Sequence, residues 1–169
     1  MRKVLVIGSG GAGKSTFARR LAERTGLPLV HLDLLYWHDG WVPSANAEWD
    51  GVVARLVSQD DWIMDGNYGR TMVTRLAACD TVIFLDIPRW RCMWRLVRRR
   101  LVSLFTPRTD LPSGCPDRLT WEFIVWVWNY PTRRRPDVIQ RLKALRADQQ
   151  AVVLTSQHAA DAFLAGMAS

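Results

Sequence analysis

Apolar residues follow two rhythms along this chain. Short solid runs at Lys3–Ile7, Pro28–Leu32, Trp62–Met64, Thr81–Leu85 and Ala151–Leu154 read as buried strands bounded by glycine, proline or polar residues. Between them, about Lys14 to Arg24 sets Phe17, Ala18 and Leu21 on one helical face and stops at Gly26. Helices also suit about Ala47–Ser58, residues 70–78 and Ala159–Ala165, and a loop with Tyr36, Trp37 and Trp41 follows the second strand. Strands that alternate with helices predict a parallel sheet covered on both faces.

The second half changes character. Arg89–Phe105 has apolar residues at 90, 93, 94, 97, 101, 104 and 105, the spacing of an amphipathic helix, with Arg91, Arg95, Arg98 and Arg99 on the other side. Thr106–Pro116, with three prolines and a glycine, reads as a loop. Trp121–Trp128 and Asp137–Leu145 read as helices separated by a Pro131–Pro136 breaker that contains Arg133-Arg134-Arg135. No internal repeat or low-complexity segment is evident.

Composition narrows the classes. A chain of 169 residues, 49% of them hydrophobic, is expected to form one domain with a proper core. The formal charge of +7 is unevenly placed: residues 87–149 carry 14 basic and 5 acidic groups and hold the whole excess. Such a block suits nucleotides, nucleic acid or an anionic membrane surface. The apolar runs are far shorter than the roughly 20 residues needed to span a bilayer, and no secretory apolar core follows the N-terminal Met-Arg-Lys. Cys79, Cys92 and Cys115 are odd in number and widely spaced, which points to reduced thiols and a cytoplasmic protein.

Gly8-Ser9-Gly10-Gly11-Ala12-Gly13-Lys14-Ser15 matches G-x-x-x-x-G-K-S/T in full, between a predicted strand and a predicted helix. Glycines let successive backbone N–H groups turn toward phosphate oxygens at the positive end of a helix dipole. Gly8, Gly10, Gly11, Ala12, Gly13, Lys14, Ser15 and Thr16 are therefore expected to cradle a nucleotide, with Lys14 on the β- and γ-phosphates and the Ser15 hydroxyl on Mg²⁺. The N-K-x-D guanine signature of GTPases is missing. One phosphate loop in a short chain with an Arg-rich segment fits a small-molecule or nucleotide kinase, whose lid arginines supply charge and exclude water.

These features resemble the adenylate-kinase-like branch of P-loop kinases, and more closely the small bacterial topology modulation proteins. The resemblance is carried by Gly8–Thr16, His31-Leu32-Asp33 with Tyr36-Trp37, Trp62–Tyr68, Leu85–Pro88, Trp94–Arg99 and Thr132–Arg135. It implies a three-layer α/β/α fold with a five-stranded parallel sheet and an Arg-rich helical lid over residues 89–135. It also implies ATP with Mg²⁺ and phosphoryl transfer to a small acceptor, whose identity it leaves open. Asp65-Gly66 resembles the D-G-F-P-R segment of adenylate kinases, which implies Asp65 beside the metal and Arg70, one position later than the pattern, toward the acceptor. Asp86 is a rival metal acid at the end of the next strand.

Asp33 reads as the end of the second strand, pointing at the crevice where ligands bind such sheets, and is a candidate base for an acceptor hydroxyl or else a capping residue. His31 shares its face by alternation. Gly26 to Ala54 lacks Lys and Arg but holds Tyr36, Trp37, Trp41 and Trp49. Either Arg70 and the lid grip an acceptor phosphate, or the acceptor is an uncharged hydroxyl compound stacking on aromatics such as Tyr36 and Trp37, or these rings only fill core. Arg95 and Arg99, four apart on one helix face, are candidate lid residues with Arg98, Arg133, Arg134 and Arg135. The alternatives are a solvated charge face, a membrane-surface helix, or a nucleotide-dependent nucleic-acid-binding surface affecting DNA topology. Oligomeric state and base preference are not encoded in any motif found.

Overall fold

A computed structural model describes residues 1–103, 114–115 and 119–167. The expected loop at Thr106–Pro116, with its prospective hinges at Pro107 and Pro112, lies mostly outside the described residues. In chain order the elements are β1 (Lys3–Gly8), α1 (Lys14–Thr25), β2 (Leu29–His31), α2 (Leu32–Tyr36), β3 (Trp37–His38), β4 (Val42–Pro43), α3 (Asn46–Val57) and β5 (Trp62–Asp65). A 3-10 turn at Gly69–Thr71 leads into α4 (Met72–Ala78), β6 (Thr81–Leu85), α5 (Arg89–Ser103), α6 (Trp121–Arg133), α7 (Arg135–Lys143), β7 (Gln150–Leu154) and α8 (Gln157–Ala165).

The sheet is five-stranded and parallel throughout, in the order β2-β5-β1-β6-β7. Alternation along β1 divides the core. Val4 and Val6 pack with Phe17, Ala18 and Leu21 of α1, Leu164 of α8 and Cys92 and Leu96 of α5. Leu5 and Ile7 pack with Trp49 and Val53 of α3, Met72 of α4 and Val138 of α7. The central β1 has a neighbour reached by a crossover on each side, so its C-terminal end opens at the switch point of the sheet. The glycine-rich loop Ser9–Gly13 leaves from that end.

Three expectations are corrected. β2 stops at His31, and Asp33 lies in the first turn of α2 rather than ending a strand. The chain turns inward there to bury Leu32, so the inferred alternation of His31 with Asp33 does not exist. Pro131 does not break its helix: α6 runs through it to Arg133 and buries Val127 and Tyr130, so core packing outweighs one lost backbone bond. Pro136 instead sits in the first turn of α7, where a missing N–H costs nothing.

The third correction concerns the Arg-rich helix. α5 is amphipathic, but it docks through Cys92 and Leu96, and Trp90, Trp94, Val97 and Leu101 of the expected inner face are exposed. Close approach explains the choice. A Cβ on Gly11 would lie 2.4 Å from the Cys92 carbonyl oxygen, a separation that a bulky helix face could not reach.

Candidate phosphate and acceptor site

The loop between β1 and α1 is built from glycines that nothing else could replace. Gly11 (φ 75°) and Gly13 (φ 94°) adopt left-handed backbone, and a Cβ on Gly10 would fall 2.5 Å from Phe123 Cζ of α6. Gly13 caps α1 without any side-chain hydrogen bond, and the first turn of the helix holds no acid. Its leading N–H groups therefore have no side-chain cap, an arrangement of the kind that suits an anion. Ser15 is half-buried and Thr16 exposed in that turn, and Ala12 is buried. Lys14 folds back, its Nζ donating to the Ser9 carbonyl at 3.0 Å.

Arg95 reaches this loop. Its Nη1 donates to the Ala12 carbonyl at 2.9 Å and its Nη2 to Gln157 Oε1 at 2.8 Å. Arg99 is half-buried one turn further along α5 and engages in contacts of its own. Arg134 is exposed at the junction of α6 and α7 and lines a cleft of about 230 Å³ beside the end of β1. Ile7, Asn67, Tyr68, Trp126 and Tyr130 line the same cleft.

Asp65 ends β5 in register with Val6 of β1 and His31 of β2, and is only 5% exposed. His31 Nδ1 lies 3.0 Å from its Oδ2, while its Oδ1 is buried without a partner. Asp86, the rival acid, is fully engaged: Arg135 Nε and Nη2 donate to its two oxygens at 2.8–2.9 Å. That bond, more than simple attraction, raises the Arg135 guanidinium above its ordinary value. Of the two carboxylates, Asp65 has the oxygen to spare.

Asp33 accepts a hydrogen bond from the Tyr68 hydroxyl. Burial first, and then the Asp33 charge, push the Tyr68 phenol up, so it stays protonated and keeps donating. Tyr36, Trp49 and Tyr68 pack mutually with centroids 4.6–5.0 Å apart, and Trp37 stands edge-on to Tyr36 at 4.8 Å. Much of this aromatic group is therefore spent on itself. Arg70 is exposed and makes a two-pronged pair with Asp50 of α3, at 2.9 Å and 2.6 Å. Those bonds pull the Asp50 carboxyl below the usual range.

Two residues to which no sequence pattern gave a role join these parts. Asn67 grips the start of the loop: its Oδ1 accepts from Gly8 N at 3.1 Å and its Nδ2 donates to the Gly8 carbonyl at 2.8 Å. Arg75 is fully buried and holds the turn that carries Asn67, donating to the carbonyls of Gly66 (2.9 Å), Asn67 (2.6 Å) and Tyr68 (2.8 Å). Burial pushes its guanidinium down to about 10, still charged at neutral pH. Gly66 (φ 142°) gives the turn a backbone that other residues rarely adopt, Tyr68 at φ 28° marks it as strained, and Arg75 restrains it. The sequence signal for such a turn is Asp65-Gly66-Asn67 directly after an apolar strand.

Comparison with solved structures agrees with this architecture. Shikimate kinase from Acinetobacter baumannii in complex with shikimate overlaps with a TM-score of 0.59 at 15% identity, covering 99% of this chain and 90% of that one. The chain has the fold of shikimate kinase. Shikimate kinase from Bacteroides thetaiotaomicron gives 0.56 at 14% identity, over 97% of this chain and 94% of that one. A sugar kinase from Janibacter sp. HTCC2649 gives 0.49 at 17% identity, over 100% and 99%. No protein-family model and no curated protein matches the sequence. Among the described residues, no helix is long and apolar enough to cross a membrane.

Proposed function

We propose that the chain is a kinase of the P-loop class that moves the γ-phosphoryl group of MgATP to a hydroxyl of a small acceptor. The observation that carries this is the glycine loop at the switch point of the sheet, with Asp65 and, through Asn67 and Tyr68, Asp33 tied to the same turn. A likeness of fold to two solved kinases supports phosphoryl transfer as the class of reaction.

The residues fit nucleotide and metal. Backbone N–H groups from Gly11 to Ser15 would take phosphate oxygens, and Lys14, released from the Ser9 carbonyl, would pair with them. The Ser15 hydroxyl and the unpartnered Oδ1 of Asp65 are hard oxygen donors of the kind Mg²⁺ takes, together with phosphate and water oxygens. Bound there, Mg²⁺ would neutralise charge on the transferring group. Asp33, aligned by Tyr68, accepts the proton of the attacking hydroxyl. Arg95 acts from a helix packed into the core, and Arg99 and Arg134 are assigned further charge for the transferring group.

For the acceptor, the absence of Lys and Arg between Gly26 and Ala54 and the pairing of Arg70 with Asp50 favour a hydroxyl compound over a phosphorylated one. Tyr36 and Trp37 are the rings offered for it to stack on, although Tyr36 is already packed on Trp37, Trp49 and Tyr68. The buried free cysteines agree with a reducing compartment such as the cytoplasm. A second reading, nucleotide-dependent binding of nucleic acid, rests on the resemblance to topology modulation proteins and on the arginine block.

A coupled ADP-release assay tests the reading. MgATP is offered with nucleosides, nucleoside monophosphates, sugars, shikimate and small alcohols, with Lys14→Ala as the blank. Acceptor-dependent turnover is expected, abolished in Asp33→Asn with nucleotide affinity retained. Silence across the panel, with nucleotide-dependent duplex binding, would replace it with the second reading.

A further inference from the structure

The outer faces of α5 and α6 carry apolar residues that the fold leaves in solvent. On α5 these are Trp90 (60% exposed), Trp94 (61%), Val97 (44%) and Leu101 (58%), spaced i, i+4, i+7 and i+11. On α6 they are Trp121 (72%), Val125 (38%) and Trp128 (49%), spaced i, i+4 and i+7. Each set forms one stripe opposite the buried side of its helix. Arg89 bridges them, its Cζ 4.3 Å above the Trp128 ring, and Arg91 lies over Trp90 at 4.9 Å. Scattered exposed hydrophobics need no explanation, but two aligned stripes with four tryptophans do.

Charge identifies the occupant. At 100° per residue, Arg91 and Arg98 flank the α5 stripe on one side and Arg89 on the other. α5 contains no acid, and Glu122 is the sole acid of α6. We infer that this face docks on an anionic phospholipid surface, with the tryptophans and aliphatic residues at the headgroup boundary and the arginines on lipid phosphates. Trp is favoured at that depth because its ring is apolar and its N–H polar. A second copy of the chain would bring arginine rims against arginine rims. Nucleic acid would use the rings for stacking but leave Val97, Leu101 and Val125 without a partner. The protein lies on the bilayer, since none of its described helices can span one.

The test is vesicle co-sedimentation of the full chain with equimolar phosphatidylcholine and phosphatidylglycerol, against phosphatidylcholine alone. Binding to the anionic vesicles is expected, weakening with salt. The surface pair Trp94→Ser with Trp121→Ser should reduce it by about tenfold or more, with an unchanged circular dichroism spectrum. Arg91→Gln with Arg98→Gln should lessen the preference for the anionic lipid. Lys14→Ala should bind vesicles as well as the parent does, which separates this result from the fate of the kinase reading. No partitioning onto anionic vesicles overturns the inference. So does a dimer in sedimentation velocity that the tryptophan pair dissociates, or tighter binding to single-stranded oligonucleotide than to vesicles.

Discussion

Replacing Asn67 by alanine isolates the link between the β5 turn and the phosphate loop. The carboxamide makes two hydrogen bonds to one buried residue, Gly8, and both vanish together. At about 1 kcal/mol for each bond, plus part of the cost of leaving a buried N–H and C=O unpaired, Asn67→Ala should lose roughly 2–4 kcal/mol. For a domain of this size that is a fall in Tm of about 5–12 °C. Arg75 still holds the turn, so the damage should be local to Gly8 and the loop it begins. Urea unfolding followed by circular dichroism gives the stability, and titration with a fluorescent ADP analogue gives loop competence; both should worsen. Asn67→Asp keeps the acceptor for Gly8 N–H but opposes a carboxylate to the Gly8 carbonyl and to bound phosphates, so its nucleotide affinity should fall below that of the alanine variant. An alanine variant with the parent's urea midpoint and affinity would refute the reasoning. Lost stability with intact affinity would confine Asn67 to a structural part.

Gly11→Ala combines left-handed backbone with a Cβ 2.4 Å from the Cys92 carbonyl; a loss of about 2–4 kcal/mol is expected, and a shift under 0.5 kcal/mol by denaturant unfolding would contradict it. Arg75→Met removes the buried guanidinium with its three bonds and strips that donor from the Gly66 and Asn67 carbonyls, while Tyr68 keeps the Thr71 N–H, so a destabilisation of about 2–4 kcal/mol is expected, with Arg75→Lys recovering only part; a neutral result by thermal unfolding would show that the turn holds itself. The Cys79 thiol is pushed by burial from its ordinary 9.0 to about 11, so the folded chain keeps its proton longer than the unfolded one. Its contribution is complete below pH 9 and is lost between about 9 and 11; Cys79→Ala should flatten stability against pH in that window, and an unchanged slope would tell against it.

Strands and the glycine-rich turn after β1 were legible because they depend on local rules: solid apolar runs, and glycines before Lys-Ser. The Thr81–Leu85 strand has the bounds its run suggested. Two kinds of feature were not legible. α5 has apolar residues on more than one side, and periodicity shows that a helix has faces without saying which one packs; the small Cys92 decides that through contact with Gly11. Asn67, Tyr68 and Arg75 act across the sheet or through a turn, and polar residues that pair over long separations leave no period behind. Asp33 and Asp65 were found as acids near strand ends, yet their partners, Tyr68 and His31, were visible only in three dimensions.

The loop glycines rest on the inner sides of the two helices whose outer sides carry the tryptophan stripes. Gly10 touches Phe123 and Val127 of α6, and Gly11 touches α5 at Cys92. A rigid helix cannot move on one side alone, so the two faces share one mechanical coordinate. Should nucleotide in the loop shift that coordinate, it would change affinity at the outer face, and an occupant there would change nucleotide affinity by the same factor. Among the described residues one helix pair separates the glycine loop from the outer stripes, so a chain that held ligands on both faces would register at each what is bound at the other.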